Sequence, residues 1–151
     1  MSTAITAILA LSSVALCSAS QITVSLLNGK TDLPMPNKQV VAWINIKPTP
    51  RMFEGRTDRE GVALIHLPED QSIDTITVSE ATYHQLISCT HWDWQDNQFP
   101  FKTVLESGVV AVNTCDPKGK LKPSPTAKPA EIVIFAREPN WWEAFWMRGQ
   151  H

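Results

Sequence analysis

The sequence predicts an all-β fold, an antiparallel sandwich of seven or eight strands closed by a short C-terminal helical segment. Three observations carry that reading. Short segments of period-two hydrophobicity recur along the chain, they are separated by Gly, Pro and Asn turn signals, and no strand–helix–strand alternation appears. Eleven prolines against six glycines fit many stiff corners and few long helices.

The first twenty residues differ in character from the rest. Met1 to Ser20 contain no charged side chain, and Ile5 to Leu16 is apolar except for Thr6, Ser12 and Ser13. Ser18-Ala19-Ser20 places small residues where a signal peptidase cuts, so 1–20 is expected to be a signal peptide and 21–151 the mature domain. The n-region lacks the usual Lys or Arg. Leu16 before Cys17 departs from a lipobox, and the apolar run is too short for a permanent membrane span. The expected location is therefore outside the cytoplasm, periplasmic or extracellular. Removal of Cys17 with the signal leaves Cys89 and Cys115 as one possible disulfide in an oxidising compartment.

Gln21 to Leu27 alternates, with Ile22, Val24 and Leu26 on one face. Val40 to Ile46 follows, with Val40, Ala42, Ile44 and Ile46 on one side and Val41, Trp43 and Asn45 on the other. Both faces are partly apolar, which predicts a central strand with Trp43 in the core. Asp58 to Gly61 has the chemistry of a type I turn, and the strands on either side of it predict a hairpin. Ile73 to Val78 is a further strand and Tyr83 to Ser88 a weaker one. Cys89 to Pro100 is expected as a loop, and Val104 to Val112 as a strand interrupted at Ser107-Gly108. Asp116 to Ala130, with four prolines, is an exposed loop, and Glu131 to Arg137 is the last strand. Beyond Pro139, Asn140 can cap a short helix carrying Trp141, Trp142, Phe145 and Trp146.

Val24 to Gly29, the proline-spaced Pro34 to Val40, and Gly55-Arg56-Thr57-Asp58-Arg59-Glu60-Gly61 running to Leu67-Pro68 together resemble the transthyretin-like (prealbumin-like) sandwiches, particularly the carboxypeptidase regulatory-like domains. The resemblance covers about half of the mature chain. It implies a sandwich that serves as an accessory or binding module. The related hydroxyisourate hydrolases carry a first-strand histidine and a C-terminal Tyr-Arg-Gly-Ser. Here the first strand has no histidine and the chain ends Met147-Arg148-Gly149-Gln150-His151. Intradiol dioxygenases, which share the core, need paired tyrosines, and Tyr83 is the single tyrosine.

Charge narrows the function further. Lys plus Arg total 13 and Asp plus Glu total 15, a net charge of −2 with no basic stripe, which argues against a nucleic-acid partner. His66, His84, His91 and Asp93 match no metal-ligand spacing, so no cofactor is expected. No nucleophile elbow is present, and Glu69-Asp70 read as a solvated pair. The expected function is a non-catalytic exported module binding a partner protein or envelope glycan. A small hydrolase or metal-dependent enzyme on the same fold, and a structural subunit of an envelope or extracellular assembly, are the alternatives. Trp92 and Trp94, with Asp93 and Asp96 beside them, form the candidate binding loop: indoles supply flat apolar area and carboxylates accept from hydroxyls. The tryptophans of the tail, Trp141, Trp142 and Trp146, are expected to fold back and cap an open end of the sandwich, an interface being the alternative.

Overall fold

A computed structural model describes residues 21–46, 49–68, 72–80, 86–90, 98–116, 118–120 and 124–148. The strands are β1 (Gln21–Asn28), β2 (Gln39–Ile46), β3 (Arg51–Arg56), β4 (Val62–His66), β5 (Ile73–Glu80), β6 (Ile87–Ser88), β7 (Gln98–Pro100), β8 (Val109–Val110) and β9 (Glu131–Arg137). Two short helices accompany them, α1 (Phe101–Ser107) and α2 (Trp141–Arg148). One sheet runs β4-β1-β9-β6 with β8 also on β9, and the second runs β3-β2-β5-β7. The two sheets pack as a sandwich.

The second sheet is antiparallel throughout, as expected. The first is mixed. β1 and β9 lie side by side and parallel, from Thr23 opposite Glu131 to Asn28 opposite Ala136, and β8 is also parallel to β9. Parallel neighbours distant in sequence leave no turn signal between them, so strand periodicity could not reveal this pairing.

Alternation decides which side chains meet between the sheets. Ile22, Val24 and Leu26 of β1, Ile132 and Ile134 of β9 and Ala63 and Ile65 of β4 face Val40, Ala42, Ile44 and Ile46 of β2 and Ile76 and Val78 of β5. Burying such aliphatic side chains contributes about 1.5–3 kcal/mol each, and they form the main core. The same alternation turns Trp43 outward, opposite Met52 on β3 and 37% exposed, instead of into the core. β2 is central in its sheet, but its second face is the outer one.

Strand β9 is buried on both faces, which explains its continuous apolar run. Its outward residues Val133 and Phe135 pack with Cys89, Leu27, Cys115 and Ala127 in a second cluster outside the sheet. Cys89 and Cys115 meet there at disulfide distance, with Cα atoms 5.1 Å apart.

Three local expectations change, the first at Gln98–Pro100, which pairs with β5 as a short strand where a loop was expected. The turn at Asp58 to Gly61 forms: Gly61 N–H donates to the Asp58 carbonyl at 3.2 Å, and the Asp58 carboxylate accepts from Glu60 N–H and Val62 N–H. The strands on either side do not pair with each other, because β3 joins β2 and β4 joins β1. The turn is thus a corner between the sheets, and no hairpin forms. Residues 101–107 are helical, and Val104 to Ser107 among them fall where the strand Val104 to Val112 was expected. Pro100 precedes the helix, Gly108 follows with φ 71°, and Val104 is its buried residue. Phe101, Val104 and Leu105 have helical spacing between a proline and a glycine, which marks a helix start and stop. The helix contacts β5, β7 and β9 and covers that side of the core.

Candidate functional site

The site is built where β9 ends. Pro139 removes a backbone donor and stops the strand, and Asn140 starts the next element. Asn140 Oδ1 accepts from Glu143 N–H at 2.9 Å, while Glu143 Oε2 accepts from Asn140 N–H at 2.8 Å. This reciprocal pair satisfies two backbone donors that a helix start leaves open. Asn140 therefore caps α2 as its sequence predicts.

Glu143 has a second role. Arg137, the last residue of β9, donates to it through both terminal nitrogens, at 2.7 and 2.6 Å. A two-point guanidinium–carboxylate pair fixes orientation as well as distance. The helix is thus fastened to the strand by the face that carries Glu143. At the same junction Lys38 Nζ lies 3.2 Å from Glu138 Oε1, tying the strand exit to the loop before β2.

The helical repeat puts the aromatic residues on the other side. At 3.6 residues per turn, Trp141, Phe145, Trp142 and Trp146 fall within an arc of about 140°, away from Glu143 and Met147. Their exposures are 70%, 65%, 54% and 68%, whereas Glu143, Ala144 and Met147 are half-buried. The polarity is inverted relative to an ordinary surface helix, which turns its apolar stripe inward. Trp141 and Trp142 stack with ring centroids 4.1 Å apart, and Phe145 meets Trp146 edge-on at 6.2 Å. The expected cap is not formed: these indoles do not close an end of the sandwich. The charged contact explains why, since rolling the aromatic face inward would break both bonds to Arg137.

The electrostatics give the contact a testable signature. Arg137 first, then the Asn140 backbone N–H, hold the Glu143 carboxyl down to about 2 from its ordinary 4.5. A lowered folded-state value means that the contact's contribution is fully present above pH 4.5 and is lost as the pH falls through about 2. The amides of α2 are therefore expected to keep their protection from hydrogen exchange, taken relative to an unstructured peptide at the same pH, at pH 5 and above, and to lose that protection toward pH 2 before the sandwich core does. In Glu143→Gln that acid-dependent loss should disappear, with exchange already fast at neutral pH.

Of the residues selected from sequence, Trp92, Asp93, Trp94 and Asp96 lie outside the described residues, as do His84, His91, Glu69 and Asp70. The described residues on either side of Trp92 and Trp94 are Thr90, whose hydroxyl donates to the Phe135 carbonyl at 3.0 Å, and Gln98, paired with Thr77. His66 is exposed on β4. Among the described residues no three His, Cys, Asp or Glu side chains gather at metal-binding distance. Among them, too, no helix is long and apolar enough to cross a membrane. The signal that marked α2 was already present in the order Arg137, Asn140, Glu143: a strand-end cation, a cap and an acid at the third helical position.

No protein-family model, no curated protein and no solved structure matches this chain.

Proposed function

We propose that the protein is an exported, non-catalytic sandwich module that docks on a component of the cell envelope or its surroundings through the aromatic face of α2. The observation that carries this reading is the exposure of four large aromatic side chains on a helix held face-out by Arg137 and Glu143. Tryptophan and phenylalanine are costly to leave in water, and clusters of them mark interaction sites. The helix is already formed and oriented, so docking does not incur the entropy of ordering it. Export is supported by the signal-like segment 1–20 and by the cysteine pair at disulfide distance. The likeness of the Thr57-Asp58 corner region to carboxypeptidase regulatory-like domains supports an accessory role.

The test is retention of the purified mature chain on immobilised envelope extract. Trp142→Ala and Trp146→Ala should each weaken retention by about 2 kcal/mol, roughly thirtyfold, as truncated interface anchors do. Trp92→Ala and Trp94→Ala are the comparison arms. If these two abolish retention while the α2 variants leave it intact, the segment between Thr90 and Gln98 is the docking element and this reading of α2 fails.

A further inference from the structure

We infer that the aromatic face of α2 seats on the interfacial zone of a phospholipid bilayer, by insertion of indole rings and with little dependence on charge. The inference rests on the reading of α2 as the docking element and names what it docks on.

The area argues first. An aromatic side chain covers about 150–250 Å². At 54–70% exposure, the four of α2 offer about 500 Å² between them. A standard protein interface needs about 800 Å² from each partner. Two copies meeting through this face alone would bury only about 1,000 Å² in total, below the roughly 1,200–2,000 Å² of stable interfaces. A bilayer sets no such requirement, because its surface closes around whatever protrudes.

The chemistry argues next. Three of the four residues are tryptophan and none is aliphatic. Indole combines a flat apolar body with an N–H donor, the combination that settles at headgroup depth, where one end is wet. The helix is about 12 Å long at 1.5 Å per residue, too short to span and suited to lying in the interface plane.

Charge sets the type of lipid. Both carboxylates at the base of the helix are paired, Glu143 with Arg137 and Glu138 with Lys38, so neither presents an uncompensated anion to the headgroups. Among the described residues, the cations at the base of the helix are Arg137 and Lys38, which are paired with these carboxylates, and Lys30, which faces Glu143, so no continuous basic run requires anionic lipid. Attraction therefore comes from the rings, and salt should matter little.

The experiment uses the mature chain and protein-free phosphatidylcholine vesicles, read by vesicle flotation and by the tryptophan emission maximum. The expected result is flotation with a blue-shifted emission, changed less than twofold between 0.05 and 0.5 M salt. Trp142→Ala/Trp146→Ala should partition at least tenfold less, and Trp142→Phe/Trp146→Phe should recover most of the loss. Since these side chains are exposed, both variants should give the wild-type circular dichroism spectrum. Absence of flotation overturns the inference, as does flotation that needs anionic lipid and vanishes in high salt. A concentration-dependent dimer lost in the alanine double variant also overturns it, by showing that a second copy covers the face. Retention on envelope extract that still depends on α2, without vesicle binding, would leave the docking role standing and assign the face to a protein or glycan.

Discussion

Replacing Cys89 and Cys115 together by alanine should lower the free energy of unfolding by about 3–4 kcal/mol. The two cysteines are 26 residues apart in sequence, and closing a loop of that size removes about this much conformational freedom from the unfolded chain in the entropic description. The native surroundings reinforce the estimate. Cys89 is fully buried beside Val133 and Phe135, and its N–H donates to the Phe135 carbonyl at 2.9 Å. Its own carbonyl accepts from Thr114 N–H and the Thr114 hydroxyl, at 2.7 and 2.9 Å. Asn113 in the same stretch donates through Nδ2 to the Gly29 carbonyl at 2.8 Å. The pair thus pins the chain that crosses the outer face of the first sheet to β9. A urea midpoint that falls, with a slope equal to or steeper than wild type because the unlinked chain unfolds to a more expanded state, would match this account, and a midpoint equal to wild type would refute it.

A comparable loss is expected from Gly61→Val. Gly61 has φ 75°, in the left-handed region that β-branched residues avoid. A Cβ there would also stand 2.9 Å from the Leu26 carbonyl oxygen and 2.9 Å from the Met35 backbone nitrogen, neither of which can swing away as a side chain would. Backbone strain of this kind costs about 1–3 kcal/mol, and the added overlap puts the substitution at or above the upper end. The neighbouring contacts explain why the corner cannot relax. The buried Thr57 hydroxyl donates to the Met35 carbonyl at 2.7 Å and accepts from Lys38 N–H at 2.8 Å, so the corner and the proline-spaced loop are joined. Thermal melting of the variant is the direct check, and an unmoved transition would mean that the corner is not built in this way.

These two sites also show which features can be read from the chain. Gly61 needed only local chemistry: aspartate first and glycine fourth in a turn announce a positive φ whatever the strands do afterwards. Which strands the turn connects is a non-local matter. β3 and β4 go to different sheets, with Phe53 opposite Ala42 of β2 and Ala63 opposite Val24 of β1, and nothing within 51–67 records that choice. Trp43 illustrates a second limit. Period two separated its face from that of Val40 and Ile44 correctly, yet the inner face had to be chosen by volume, and the aliphatic set filled it. Helix α1 was legible in Phe101, Val104 and Leu105, but Ser107-Gly108 also fits an interruption within a strand. For α2 the helix and its cap were apparent, while its orientation depended on Arg137 meeting Glu143, a pairing between the end of one element and the first turn of the next. Sequence hydrophobicity favoured burial of the indoles. The ion pair points them the other way.

The central claim is that Trp141, Trp142 and Trp146 stand in solvent on a helix locked face-out, and stability measures that most directly. The triple variant Trp141→Ala/Trp142→Ala/Trp146→Ala should unfold in urea within about 0.5 kcal/mol of wild type, as substitutions at exposed positions do. A loss of several kcal/mol, the size seen when large aromatic side chains are removed from a core, would place the indoles against the sandwich and contradict the account.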